Sequence, residues 1–336
     1  MKKLSFLDKI LYFINSVFAT FLLVSYLLPF VSPNVVPVFA ILSLFVPILI
    51  ILNLLFVIYW LIKLKKQFFL SCLILVIGWF FLPPFYKVSE KKSALNTDIK
   101  VMSYNVRMFN YYKWNKDSSL DEKTINLINE KDPDILAIQE FYESDKINFN
   151  YKYKYLKTKS QTNKFGLAIY SKFKIINTGS LDLKNSANNI IFTDIIKNED
   201  TIRVYNIHLE SLKINPNKEN FGEENSEKLL KRLGNVFKKQ TNQAEIFLNH
   251  EQQWKGKKII CGDFNNTSFS WVYNKISENK KDAFIEAGKG FGKTFNYWLP
   301  MRIDFILTDE KAIINQFNSW KENYSDHYPI LTRINW

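Results

Sequence analysis

Cysteine is nearly missing from this 336-residue chain. Cys72 lies inside an apolar run and Cys261 inside a short stretch that reads as a buried strand, so the two are not expected to meet. A disulfide framework and a metal–thiolate cluster are therefore excluded, and the fold must be held by its core. Histidine is almost as scarce: His208, His250 and His327 are all there is. His250 stands in a polar helical stretch and is expected to be exposed. No glycine-rich phosphate loop occurs, which argues against a nucleotide-driven kinase or ATPase. There is no internal repeat and no low-complexity tract.

Charge is missing from three long runs, Ile10 to Phe30, Val35 to Ile62 and Phe68 to Phe85. A spanning helix needs about 20 apolar residues, and a buried core helix would show a polar stripe. A cleaved signal peptide would account for the first run only. Residues 1–86 are thus expected to form three transmembrane helices in the cell membrane. Lys2, Lys3 and Lys9 precede the first run, Ser32-Pro33-Asn34 is uncharged, and Lys63, Lys65 and Lys66 follow the second. The positive-inside rule then delivers the C-terminal part outside the cytoplasm, with Lys87, Lys91 and Lys92 arguing the other way.

What the chain has in excess is positive charge, +13. That balance suits polyanionic neighbours, nucleic acid or an anionic membrane face. Lysine scattered among asparagine gives the same figure with no function attached. Beyond a polar linker, residues 87–98, about 250 residues remain, enough for a core of ordinary size. Apolar stretches at Ile99–Val106, Ile135–Ile138, Phe165–Tyr170, Ile190–Ile196, Ile202–Leu209, Ile259–Cys261, Ile303–Leu307 and Tyr328–Ile334 read as strands. Ser119-Leu120-Asp121-Glu122 has capping-box form and opens a helix to about Glu130. Glu223–Trp254 reads as a helix with Leu229, Leu230, Leu233, Val236 and Phe237 on one face. The class is α/β or α+β.

Polar strings stand at the ends of these strands: Tyr104-Asn105-Val106-Arg107, Gln139-Glu140, Asn206-Ile207-His208-Leu209, Gly262-Asp263-Phe264-Asn265, Arg302-Ile303-Asp304 and Ser325-Asp326-His327. A carboxylate at a buried strand end is poorly solvated unless it meets a cation, and oxygen ligands select a hard ion. Taken alone, Glu140 reads better as a solvent-facing carboxylate; in the company of the other strings it does not. Alternation would put Asp263 and Asn265 on one side with Phe264 opposite; an Asx-turn is the competing reading. Arg302 suits either a bidentate phosphate contact or a salt bridge.

Taken in order, these strings resemble the endonuclease/exonuclease/phosphatase family, which includes DNase I-like nucleases, sphingomyelinases and inositol-polyphosphate phosphatases. The resemblance spans residues 99–336. It implies a four-layer α/β sandwich, two packed sheets flanked by helices, that hydrolyses phosphate esters with Mg²⁺ or Mn²⁺. It further implies Glu140 as the principal metal ligand with Asn105 and Asp326. Asp263 and Asn265 would handle water and a phosphoryl oxygen, and Asp304 would orient His327 as base or phosphate ligand. His208 would meet the scissile phosphate or leaving oxygen, and Tyr170 would bond the phosphate, although a strand tyrosine also serves as packing. The expected partners are a lipid bilayer and a phosphate-ester substrate, with no protein partner inferable. Phe269, Trp271, Tyr273, Phe295, Tyr297 and Trp298 suit base stacking, bilayer docking or the core. A phosphodiesterase or endonuclease, a phospholipid or phosphoinositide hydrolase, and a non-catalytic anchored binding protein stay open as readings.

Overall fold

The computed structural model describes residues 4–160, 162–213 and 223–336. The apolar segment comes first. Helix α1 (Phe6–Ser25) is followed by a bent stretch, α2 (Pro37–Ala40) with a 3₁₀ turn to Leu44, then α3 (Val46–Ile62) and α4 (Phe68–Phe81). Three separate membrane-crossing helices were expected, and the structure corrects this. Among the described residues only α1 is long and apolar enough to cross by itself. The second run is bent by 57° between Leu44 and Val46. Pro47 sits in the first turn of α3, where its missing N–H is tolerated but a continuous helix through it would not be. The third run supplies 14 helical residues, about 21 Å against the roughly 30 Å of a hydrocarbon core, and Pro83-Pro84 ends it.

Polar side chains tie these helices together. Asn15 donates to Ser71 at 2.5 Å, Ser71 to Asn53 at 2.8 Å, and the Trp60 indole to Asn15 at 3.0 Å. Around them pack Leu22, Val46, Leu49 and Ile74. Residues 87–98, expected as a free linker, are pinned to the following domain. Lys87 and Gly290 exchange backbone hydrogen bonds, and Ser93 donates to Asn315.

From residue 99 the chain forms β1 (Ile99–Asn105), α5 (Leu120–Lys131), β2 (Ile135–Tyr142), β3 (Tyr153–Thr158), β4 (Phe165–Ser171), β5 (Lys174–Ser180), β6 (Ile190–Lys197), β7 (Asp200–His208) and α6 (Glu223–Glu251). It closes with β8 (Lys257–Asp263), α7 (Trp271–Ser277), β9 (Lys280–Asp282), α8 (Ala283–Ala287), β10 (Asp304–Asp309), β11 (Ile313–Ser319) and β12 (Ile330–Asn335). The strands build two six-stranded mixed sheets, β11-β12-β1-β2-β4-β3 and β5-β6-β7-β8-β10-β9. Each has a parallel central pair, β1 with β2 and β7 with β8.

The alternation expected of strands decides the layers. Val101, Ala137 and Ile169 of the first sheet meet Ile195, Val204 and Ile259 of the second in a shared core. On the outside of the first sheet Met102, Leu136 and Ala168 pack with Ile128 of α5. On the outside of the second, Tyr205, Ile207 and Ile260 pack with Phe247 of α6 and Val272 of α7. The result is two packed sheets flanked by helices. Two local expectations fail. Ser119 forms no capping box, because its hydroxyl bonds the Asp117 carboxylate at 2.6 Å instead. On α6, Leu233 and Phe237 are buried while Leu230 is exposed.

Candidate active site

The parallel pairs β1–β2 and β7–β8 end at one rim, bringing Asn105, Glu140, His208 and Asp263 there. Strand β10 runs antiparallel to β8 with Asp304 opposite Asp263, so its first residue lies at the same rim. Strand β12 runs antiparallel to β1, which places the preceding Asp326 and His327 there as well. Strand direction alone therefore gathers side chains more than 200 positions apart in sequence.

The centre of the site is the Oδ2 atom of Asp263, a fully buried carboxylate. Asn105 Nδ2 donates to it at 3.0 Å, His208 Nε2 lies 3.6 Å away and His327 Nε2 3.7 Å. The other oxygen accepts from the Asn265 backbone N–H at 2.8 Å. His327 Nδ1 faces both Asp304 oxygens at 2.9 and 3.1 Å. Thr294 Oγ1 accepts from the backbone N–H groups of Ile303 and Asp304, and the Phe295 ring stands edge-on to His327. Glu140 borders this group, 3.8 Å from His208 Nε2, and retains some exposure. A break in register between Ile138 and Phe141 puts Glu140 in the left-handed region, φ 49°, and turns it out of the sheet plane. Arg107 reaches Asp326 at 3.2 Å, and Ser325 donates to the Asn105 carbonyl at 2.8 Å.

Burial and neighbours assign charges. Desolvation raises the Asp263 carboxyl to about 6; His327 opposes the rise and Asp304 adds to it. Burial works against a charged His327, but Asp304 and Asp263 hold it well above its usual value. His208 is pushed down by burial, and its Nε2 is buried with no hydrogen-bond partner. Glu140 is raised first by desolvation and then by the Asp326 charge.

Asp326 repels the Glu140 carboxylate, and a hard cation between the two oxygen donors would relieve that repulsion. Among the described residues, Asp263, Asp304 and His327 form the one buried group of carboxylates and histidine close enough together to hold an ion. Asn105 turns its amide nitrogen, not its oxygen, toward Glu140 at 3.4 Å, while its oxygen accepts from Arg107 N–H. Serving as a metal ligand would require that amide to turn over.

Residues 102–327 match the endonuclease/exonuclease/phosphatase family. The chain belongs to this family. Residues 8–85 match a domain of unknown function. No curated protein sequence matches the chain. Among solved structures of the family's fold, a humanized D. rerio TDP2 is 14% identical, with 72% of this chain and 100% of that one covered at a TM-score of 0.54. An endonuclease/exonuclease/phosphatase from Bacteroides vulgatus is 17% identical, covering 71% and 99% at 0.53. The mannosyl-6-phosphatase of Bacteroides thetaiotaomicron VPI-5482 is 14% identical, covering 71% and 100% at 0.54.

Some expected members of the family site fall elsewhere. Tyr170 is buried on the outer face of the first sheet against Phe149 and Tyr151, paired with Leu136 at the far end of β2. Arg302 is buried in a 2.5 Å ion pair with Asp282, its guanidinium against Phe284 and Phe305. The extended run stops at Asp263. Asn265 lies in a left-handed turn (φ 49°), and its amide donates to Leu209 O. His250 is half-buried, bonded to the Tyr205 hydroxyl at 3.0 Å. Phe269 and Tyr273 are core, and Trp298 is exposed. Sequence reasoning missed Thr294, Phe295 and Arg107 as supports of His327, Asp304 and Asp326. Only Arg107 stood inside a string.

Proposed function

We propose that the protein is a membrane-anchored, divalent-metal-dependent hydrolase of phosphodiesters, a phosphodiesterase or endonuclease. One observation carries the reading: the Asp263 carboxylate accepts from Asn105 and stands within 3.7 Å of His208 and of a His327 held by Asp304, with Glu140 at the edge. Glu140 and Asp326, with Asn105 once its amide turns, would hold Mg²⁺ or Mn²⁺, which would supply charge neutralisation at the phosphoryl oxygens.

The remaining roles belong to the side chains. Asp263 accepts a proton from the attacking water as its oxygen bonds to phosphorus. His327, its Nδ1 held by Asp304, hydrogen-bonds through Nε2 a phosphoryl oxygen whose charge grows. Asn265 would have to release Leu209 O to share that duty. The bond from phosphorus to the leaving oxygen breaks, and that oxygen takes a proton from solvent while His208 Nε2 is free to hydrogen-bond it. No covalent enzyme intermediate forms. Tyr170 and Arg302 have no part.

The anchoring rests on exposed apolar surface. Phe13 of α1, Ile62 of α3 and Trp79 of α4 are 70%, 77% and 79% exposed. Bands of this size suit lipid rather than water. With α1 as the crossing helix, Lys2, Lys3 and Lys9 before it favour an N-terminus inside and an extracytoplasmic catalytic domain, and protease added outside intact cells should remove it. A second reading, a phospholipid or phosphoinositide hydrolase, has one observation behind it. Phe291 packs against Phe85 and Tyr86 where the apolar segment ends, and exposed Trp298 follows in the same loop. The purified chain with Mg²⁺ should cleave bis-p-nitrophenyl phosphate. Plasmid DNA and sphingomyelin as competing substrates separate the two readings. Full activity in Glu140→Gln would sink the metal assignment.

A further inference from the structure

The apolar segment does more than stand beside the catalytic domain. Its bent stretch is built into that domain. Ala40 and Ile41 pack on Leu233 and Phe237 of α6, and a Cβ on Gly234 would come within 3.2 Å of Pro37. Phe269, four residues beyond Asn265, is buried among Leu22, Val46 and Ile74. The Thr267 hydroxyl donates to the Ser43 carbonyl at 2.9 Å, and the Ser43 hydroxyl, bonded to Ala40 O, lies 3.3 Å from Asn266 Oδ1.

From that contact a buried chain of amides leads to both loops of the site. Asn266 Nδ2 donates to Gln240 Oε1 at 2.9 Å. The Gln240 Nε2 atom donates in turn to Glu210 O at 2.7 Å and Asn265 O at 3.1 Å. Glu210 follows His208 by two residues and Asn265 follows Asp263 by two. A single amide group thus spans the loops after β7 and β8. Gln240, Asn266 and Thr267 are all buried and so have no water to replace a lost partner.

We propose that Gln240, Asn266 and Thr267 are positioning residues through which the docked bend at Ser43 sets the spacing of His208 and Asp263, so that hydrolysis depends on the apolar segment being seated. This rests on the hydrolase reading above. The bent helix pair is then a part of the enzyme's working frame, and its break near Phe45 is what lets Ser43 reach the catalytic loop.

The test is a double-mutant cycle in the full-length chain, reconstituted in phospholipid vesicles with Mg²⁺ and assayed on bis-p-nitrophenyl phosphate. Thr267→Val removes the bond to Ser43 and is expected to lower kcat about 5- to 50-fold with KM within about twofold, because misplacement costs rate rather than generic affinity. Thr267→Ser restores kcat. Gln240→Met lowers kcat further, and adding Thr267→Val to it costs little more, since both act through one network. Asn266→Ala substitutes in the cycle if Gln240→Met does not fold. Multiplying effects, a change in KM alone, no rescue by serine, or wild-type kcat in Thr267→Val overturns the proposal while leaving the hydrolase reading intact. An inactive wild-type chain overturns the hydrolase reading itself, and this one with it.

Discussion

Gly262→Ala probes the place where the two catalytic strands come closest. Gly262 stands opposite Ile207 in the β7–β8 register, one residue before the His208–Asp263 pair. Its φ is +146°, and a Cβ there would lie 1.9 Å from the Ile207 carbonyl oxygen and 2.8 Å from the Ile207 nitrogen. Both are main-chain atoms of a central strand, so no rotamer change relieves the clash. The strands must part by more than 1 Å. Overpacking costs roughly 1–3 kcal/mol and a disfavoured φ a further 1–3. About 2–6 kcal/mol is therefore expected, a fall in Tm on the order of 5–20 °C. Parting the strands also widens the 3.6 Å gap between His208 and Asp263. Hydrolysis should drop at least about 100-fold even at temperatures where the variant is folded. Thermal unfolding by circular dichroism, with kcat measured 20 °C below the variant's own midpoint, reads both. A variant with wild-type Tm and kcat would refute the argument that backbone approach at Gly262 sets the site.

Arg302→Met should cost about 3–5 kcal/mol by leaving Asp282 buried and unpaired, with KM for bis-p-nitrophenyl phosphate unchanged; a KM increase without lost stability would return Arg302 to the substrate. The Asp263 carboxyl binds its proton more tightly in the folded chain, at about 6 rather than 3.8, so the ionised base is lost as pH falls through that value. A cation nearby only lowers it. The acid limb of kcat against pH should thus lie at or below about 6, and a limb above 7 speaks against Asp263 as the base. A chain shortened to residues 87–336 uncovers Phe269, Leu233 and Phe237. It should elute as aggregate on size exclusion, whereas a monodisperse active fragment would show that the apolar segment is only a tether.

The site was legible in the sequence because each of its residues stands at the end of a buried strand, where a polar side chain breaks an apolar run. Asn105, Glu140, His208, Asp263, Asp304 and His327 share that signature. Tyr170 shares it only in part: it lies in a strand, but alternation sends it to the outer layer. Arg302 was open between phosphate and a salt bridge, and the structure gives the salt bridge, buried rather than at the surface. An arginine before a strand reads the same whether it faces phosphate or a buried Asp282, and the partner comes from β9, too short to see. Strands β3, β5 and β11 were missed because they lack a buried apolar run. Lys174 to Ser180 is half polar and lies at a sheet edge, where one side faces water.

The apolar segment shows a deeper limit of linear reading. Uninterrupted hydrophobicity says that a stretch avoids water, not what covers it. Pro47 divides the second run, and the freed piece turns its apolar face to α6 and the loop after Asp263. The same residues thereby serve two environments, with Phe13 and Trp79 outward and Ala40, Ile41 and Ser43 against the catalytic domain. Phe269 sharpens the point. In sequence it is one more aromatic near a polar string, open to stacking, docking or core. In the fold it is the side chain by which the catalytic domain enters the apolar cluster, and its position four residues past Asn265 makes the apolar segment and the candidate site neighbours.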